Sequence, residues 1–125
     1  MNISVDTNVL ARAVLADDPV QSRVARKLLR EATSIAVPLP CLCELVWILR
    51  RGAKLATADV AAAIRALLNA ENVAMNRSAV EAGLSLLEAG GDFADGVIAY
   101  EGRWLGGETF VSFDQKAVAL LSQQG

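Results

Sequence analysis

Five acidic residues, Asp6, Glu44, Asp92, Asp95 and Asp114, are the side chains of this 125-residue chain whose spacing could do chemistry. Asp6 ends the apolar run Asn2–Val5, and Asp114 follows the β-forming run Thr109–Phe113. Asp92 and Asp95 open a helical pattern, and Glu44 lies one turn into the helix expected after Ser34–Pro38. In an open parallel sheet, ligands bind beyond the carboxyl ends of the strands, so these acids are expected at one edge. Trp47 and Ile48, three and four residues after Glu44, place it on or near a buried face. Ionised carboxylates gathered without counterions repel one another and are costly to desolvate. A hard divalent cation, Mg²⁺ or Mn²⁺, is their natural partner. Such an ion activates water and stabilises the oxygens exchanged at a phosphodiester.

Each acid also has a structural reading. Asp6, followed by Thr7 and Asn8, could be a turn and helix cap, and Asp114 a cap directly after a strand. Asp92 and Asp95 imitate a capping box; Asp92 is assigned to the cap and Asp95 to the site. Glu44 resists the structural reading, because a buried glutamate needs a partner.

Histidine is absent. Catalysis by Ser-His-Asp or Cys-His arrangements and His-ligated zinc or iron are therefore excluded. Cys41 and Cys43, two apart, are badly placed to bridge each other and too few for structural zinc, which points to a reduced, cytoplasmic setting. A net charge of -2 and a pI near 5.1 argue against non-specific nucleic-acid binding, leaving only a local basic patch. Arg50, Arg51 and Lys54 could be that patch, holding phosphates, or could equally be a solvated helix end. Arg23, Arg26, Lys27 and Arg30 read as a solvated face. No targeting segment is evident, and the apolar stretch Ile35–Cys43 is too short to span a bilayer. The mean hydropathy of +0.37 implies apolar surface covered by a partner.

Four short β-runs alternate with longer helical patterns: Asn2–Val5, Ser34–Pro38, a weak Val73–Met75 and Thr109–Phe113. Asp18 and Pro19 form a helix start, and Val20, Val24 and Leu28 the apolar stripe of the helix that follows. Pro40 opens a helix to Gly52, Thr57 caps the next, and Ser78 to Glu81 has capping-box spacing. With 22 alanines, 5% aromatics and no linker, the chain is expected to be one α/β domain over 1–125. Its parallel sheet should have about four to five strands flanked by helices in an α/β/α sandwich. Trp47 and Trp104 are expected in helix core or a dimer interface rather than stacked on bases.

Ser-Val-Asp-Thr-Asn-Val-Leu at 4–10, Cys-Glu-Leu at 43–45, Asp-Phe-Ala-Asp at 92–95 and Ser-Phe-Asp-Gln-Lys-Ala at 112–117 resemble PIN-domain ribonucleases, most closely VapC-type toxins. The resemblance runs over essentially the whole chain. It implies that Asp6, Glu44, Asp95 and Asp114 bind the metal, with Asn8, Ser112 and Asp92 in support. It further implies Mg²⁺- or Mn²⁺-dependent cleavage of RNA, a homodimer, and a VapB-type antitoxin seated around Leu45–Leu68. Gly96 departs from the family, which often has Ala after the acid; helix propensity falls there without loss of a ligand.

Other classes fit less well. An aspartyl phosphatase would want a second acid where Asn8 stands, and a phosphoacceptor domain an aspartate where Asn76 follows the third β-run. The non-enzymatic alternative is a catalytically silent interaction or dimerisation module whose acids are only caps.

Overall fold

The computed structural model of the protein describes residues 1–124, which fall into two compact units, Met1–Met75 and a second beginning at Asn76. The first unit is α/β: β1 (Asn2–Ser4), α1 (Thr7–Leu15), α2 (Pro19–Glu31), β2 (Ser34–Ala36), α3 (Leu39–Trp47), a π-helical turn (Ile48–Gly52), α4 (Thr57–Asn69) and β3 (Val73–Ala74). Its strands pair in parallel in the order β1-β2-β3, with Ile3 opposite Ile35 and Ile35 opposite Val73. Parallel neighbours need long crossovers, and α1–α2 and α3–α4 supply them. Ile35 at the sheet centre and Leu10, Leu42, Leu45, Leu49, Val60 and Ile64 from the helices are almost wholly buried.

The second unit is helical: α5 (Arg77–Glu88), α6 (Phe93–Trp104) and α7 (Gln115–Gln124). The sheet therefore has three strands among the described residues, fewer than the four to five expected. Thr109–Phe113 forms no strand, and Val111 and Phe113 are exposed. β-propensity is realised only against a pairing neighbour, and this unit contains no other strand.

Local starts and stops follow sequence chemistry in part. Asp18 caps α2 by accepting from the Gln21 amide at 3.1 Å, with Pro19 as first helical residue. Neither Thr57 nor Ser78 is the cap that spacing suggests. Thr57 is already helical and accepts from Arg50 Nη1 at 2.6 Å, while Asn76 caps α5 through the Ala79 amide. The helix opened at Leu39–Pro40 widens at Ile48, where the Ala53 amide reaches the Ile48 carbonyl at 2.9 Å.

The stripe Val20, Val24 and Leu28 faces solvent, with Val20 68% and Val24 63% exposed. Ser22 and Ala25 are buried instead. The rotation of α2 is set by polar groups: Ser22 Oγ donates to the Arg12 carbonyl at 2.7 Å, and Arg26 Nε to the Ala13 carbonyl at 2.9 Å. The Arg12 carbonyl also accepts from the Ala16 amide at 3.3 Å, so these bonds fasten α2 to the last turn of α1, and they turn the small-residue face inward.

Helix α1 ends with Ala16 in the left-handed conformation, at φ 54°. A side chain there costs about 1 kcal/mol relative to glycine. Ala16→Gly is therefore expected to raise stability by roughly 0.5–1 kcal/mol in a urea melt, although glycine is normally a destabilising replacement in helices.

Candidate metal centre

The acids of the first unit stand above a buried thiol. Asp6 is the N-cap of α1, accepting from the Val9 amide at 3.2 Å. Thr7, the first residue of that helix, is buried, and so is Cys41 in the first turn of α3. Burial pushes the Cys41 thiol above its ordinary range, the Thr7 hydroxyl's hydrogen bond to it acts the other way, and the charges of Glu44 and Asp6 push it up further. Asp6 and Glu44 thus lie within electrostatic reach of one sulfur.

Glu44 itself is exposed, against the expectation of a buried face. Pro40, Glu44 and Trp47 share the outer stripe of α3, whereas Cys41, Leu42, Leu45 and Val46 point inward. Trp47 was the misleading signal: it is 62% exposed, and Trp104 is 76% exposed, so neither is core. In the Leu45–Leu68 region, where the resemblance implies a partner, Leu45, Leu49 and Leu68 are themselves buried.

The second unit carries the other acids. Asp92 caps α6 by accepting from the Ala94 amide at 3.0 Å, as assigned from sequence. Asp95 follows in the first turn. Its carboxyl is held above the ordinary aspartate range, first by desolvation and then by the charges of Asp92 and Asp114. Asp114 accepts from the Lys116 and Ala117 amides at 3.0 and 3.1 Å at the start of α7. The Asp114 amide in turn donates to Ser112 Oγ at 3.0 Å, which gives Ser112 a local role in orienting that turn.

Asn8 is exposed in the first turn of α1, Arg51 is exposed in the π-helical turn, and Lys54 is exposed beyond it. Arg50 is held by Thr57, a tie that sequence spacing did not show. Neither cysteine is in a disulfide.

Among the described residues, Asp6, Glu44, Asp95 and Asp114 form no salt bridge; Arg12 pairs with Asp17 at 2.9 Å elsewhere. No three acidic or cysteine side chains among these residues are clustered tightly enough to hold an ion by themselves. The donor set is nonetheless all carboxylate oxygen, the chemistry a hard divalent cation takes. At Asp95 the charges of Asp92 and Asp114 add a repulsion that such an ion would relieve.

The parallel α/β unit thus carries Asp6 at the helix start after β1 and Glu44 within α3, and the helical unit carries Asp92, Asp95 and Asp114. The PIN domain family matches residues 3–119, and the chain belongs to that family, whose members are generally nucleases. No curated protein and no solved structure matched the chain significantly.

Proposed function

We propose that this protein is a divalent-metal-dependent endoribonuclease, the toxin of a type II toxin–antitoxin pair, working as a single PIN domain over 1–125. Asp6, Glu44, Asp95 and Asp114 are its metal-binding acids, and Mg²⁺ or Mn²⁺ its ion. The observation that carries this reading is Asp95, whose carboxyl is raised by burial and by the charges of Asp92 and Asp114.

The ion, when bound, supplies charge neutralisation at phosphorus and acidifies water for attack. The chain's own residues do the rest. Asp6, Asp95 and Asp114, their backbone fixed at helix starts, would hold the ion; Glu44, exposed on α3, would be a further ligand or the group that orients the attacking water. Ser112 steadies Asp114 and Asn8 lies beside Asp6. Arg51 and Lys54, both exposed, would meet RNA phosphates, with Arg50 held by Thr57. Direct attack by water leaves a 5′-phosphate, since no residue of this histidine-free chain readily activates a 2′-hydroxyl. A VapB-type antitoxin and a second copy of the chain are the proposed partners, in the cytoplasm.

The silent-module reading is favoured by one observation: Asp6, Asp92 and Asp114 each cap a helix through the backbone. Asp6→Asn separates the two, because asparagine caps as well as aspartate. Cleavage of a structured RNA in Mg²⁺, lost in EDTA and reduced at least about a hundredfold by Asp6→Asn at unchanged melting temperature, is the expected result. Wild-type protein that cleaves nothing in Mg²⁺ or Mn²⁺ leaves the capping role as the account of these acids.

A further inference from the structure

The π-helical turn Ile48–Gly52 ends in a way that its backbone does not call for. The Ala53 amide donates to the Ile48 carbonyl and the Leu55 amide to the Leu49 carbonyl, both at 2.9 Å. A helix closed by such bonds commonly puts the residue after its C-cap in the left-handed conformation, a place usually held by glycine. Here Ala53 is the C-cap and the left-handed residue is Lys54, at φ 56°. Glycine stands two positions earlier, at Gly52, where no positive φ demands it. A β-carbon on Gly52 would lie 3.8 Å from Ile48 Cγ2, an ordinary contact. The turn thus carries a side chain where the backbone favours glycine, and a glycine where a side chain would fit.

Both departures have a chemical reading. A bare α-carbon lets a ligand approach the backbone closely, and a left-handed residue other than glycine is a strain that a functional side chain can explain. Arg51, Gly52, Ala53 and Lys54 are all exposed. Neither Arg51 nor Lys54 is in a salt bridge among the described residues. Arg50 differs, because its Nη1 donates to Thr57 Oγ1 at 2.6 Å and ties the turn to the start of α4. Beside the turn lies a cleft of about 290 Å³, lined by Ile48, Gly52 and Ala53 and, from α1, by Asn8, Ala11 and Leu15. Two cations next to a small cleft with apolar walls match a nucleotide, whose phosphate meets the charge and whose base lies against apolar side chains. An acidic peptide would use the charges and leave the apolar walls unmet.

We propose that residues 51–54 form a backbone-contact turn for single-stranded RNA. Arg51 and Lys54 supply the charge, Gly52 leaves the surface open for a phosphate to approach, and Arg50 braces the turn as a positioning residue. The nuclease reading above supplies RNA as the ligand class, and the roles of Gly52 and of the left-handed Lys54 go beyond it.

The test uses the full chain and a fluorescent single-stranded oligoribonucleotide in EDTA. Binding is measured by anisotropy over a range of KCl, beside the melting temperature, for wild type, Lys54→Gly, Lys54→Ala, Gly52→Ala and Ala16→Gly. Lys54→Gly is expected to raise the melting temperature by about 4 °C, since the left-handed strain is relieved. It should also flatten the slope of log affinity against log salt by about 0.7, which is about a fivefold loss of affinity at 0.1 M. Lys54→Ala, which keeps the strain, should lose the same affinity without the gain in melting temperature. Gly52→Ala should raise the melting temperature, alanine being the better helix former, and still weaken RNA binding severalfold. Ala16→Gly, which relieves the same kind of strain at the end of α1, should raise the melting temperature and leave binding unchanged.

A more stable Lys54→Gly with wild-type affinity and slope overturns the proposal. So does Gly52→Ala binding as wild type does, or a wild type that binds no RNA at the lowest salt. Polyglutamate of matched charge displacing the RNA as well as unlabelled RNA does would assign the turn to an acidic protein partner instead. Wild-type protein that binds RNA through Lys54 but cleaves none in Mg²⁺ or Mn²⁺ removes the nuclease reading and leaves the turn as an RNA contact. Metal-dependent cleavage with RNA affinity unmoved in every variant removes only the turn.

Discussion

Replacing Gly96 by alanine is expected to lower stability by about 2 kcal/mol, roughly 8 °C in a thermal melt, although alanine is the better helix former by up to about 1 kcal/mol. A β-carbon at Gly96 would lie 2.6 Å from the Ala82 carbonyl oxygen and 2.9 Å from the Gly83 α-carbon. Both are backbone atoms of α5, so the clash cannot be relieved by turning a side chain. Gly83 is the matching position: a β-carbon there would meet the Phe93 ring at 2.7 Å, and Phe93 is fully buried. The two glycines let α5 and α6 approach until one backbone lies against the other. Gly102, in the same helix α6, has open space where a β-carbon would go. Gly102→Ala should therefore raise stability by roughly 0.5–1 kcal/mol. Opposite signs for one substitution at two positions of one helix, measured by urea unfolding, test the close approach directly. Equal signs would show that α5 and α6 do not meet as described. The departure of Gly96 from the family's usual alanine is thus a packing requirement and not merely a weak point in the helix.

Neutralising Asp95 is expected to have the largest effect on activity. Asp95→Asn should abolish the Mn²⁺-induced rise in melting temperature and reduce RNA cleavage by at least about a hundredfold. It should also make the metal-free protein more stable at neutral pH. The carboxylate lies in the first turn of α6, where the helix dipole favours negative charge by about 0.3–1 kcal/mol. Its carboxyl is nevertheless held above the ordinary range, so burial and repulsion from Asp92 and Asp114 outweigh the dipole. Because the folded form binds this proton more tightly than the unfolded form, its effect on stability declines as pH rises from the ordinary carboxylate range to the raised value. Above that window the cost is complete, and below the ordinary range it is gone. The stability advantage of Asp95→Asn should therefore be full at neutral pH and vanish on acidification. In the wild type, Mn²⁺ at a hundred times its dissociation constant should add about 2.7 kcal/mol, and none in the variant. A variant less stable than wild type at neutral pH, still shifted by Mn²⁺, would assign Asp95 to helix structure alone.

Sequence alone determined what depends on neighbours along the chain. Asp18 with Pro19 specified a helix start, and Asp92 was separable from Asp95 as the cap, because capping is satisfied within three residues. The absence of histidine limited the chemistry to carboxylates, and the order of the acidic motifs carried the family. What the sequence could not decide depends on which surface meets which. The Val20–Val24–Leu28 stripe has helical spacing, but the bonds of Ser22 and Arg26 to the end of α1 turned it outward. Trp47 suggested a buried Glu44, yet both lie on the outer stripe of α3. Thr109–Phe113 has strand composition, and a strand exists only where another can pair with it. Gly96 looked like a defect in a helix until the backbone of α5 was found against it. Periodicity and capping are local, so they can be read from one chain segment; burial and close approach belong to pairs of segments far apart in sequence, and only the tertiary structure brings those pairs together.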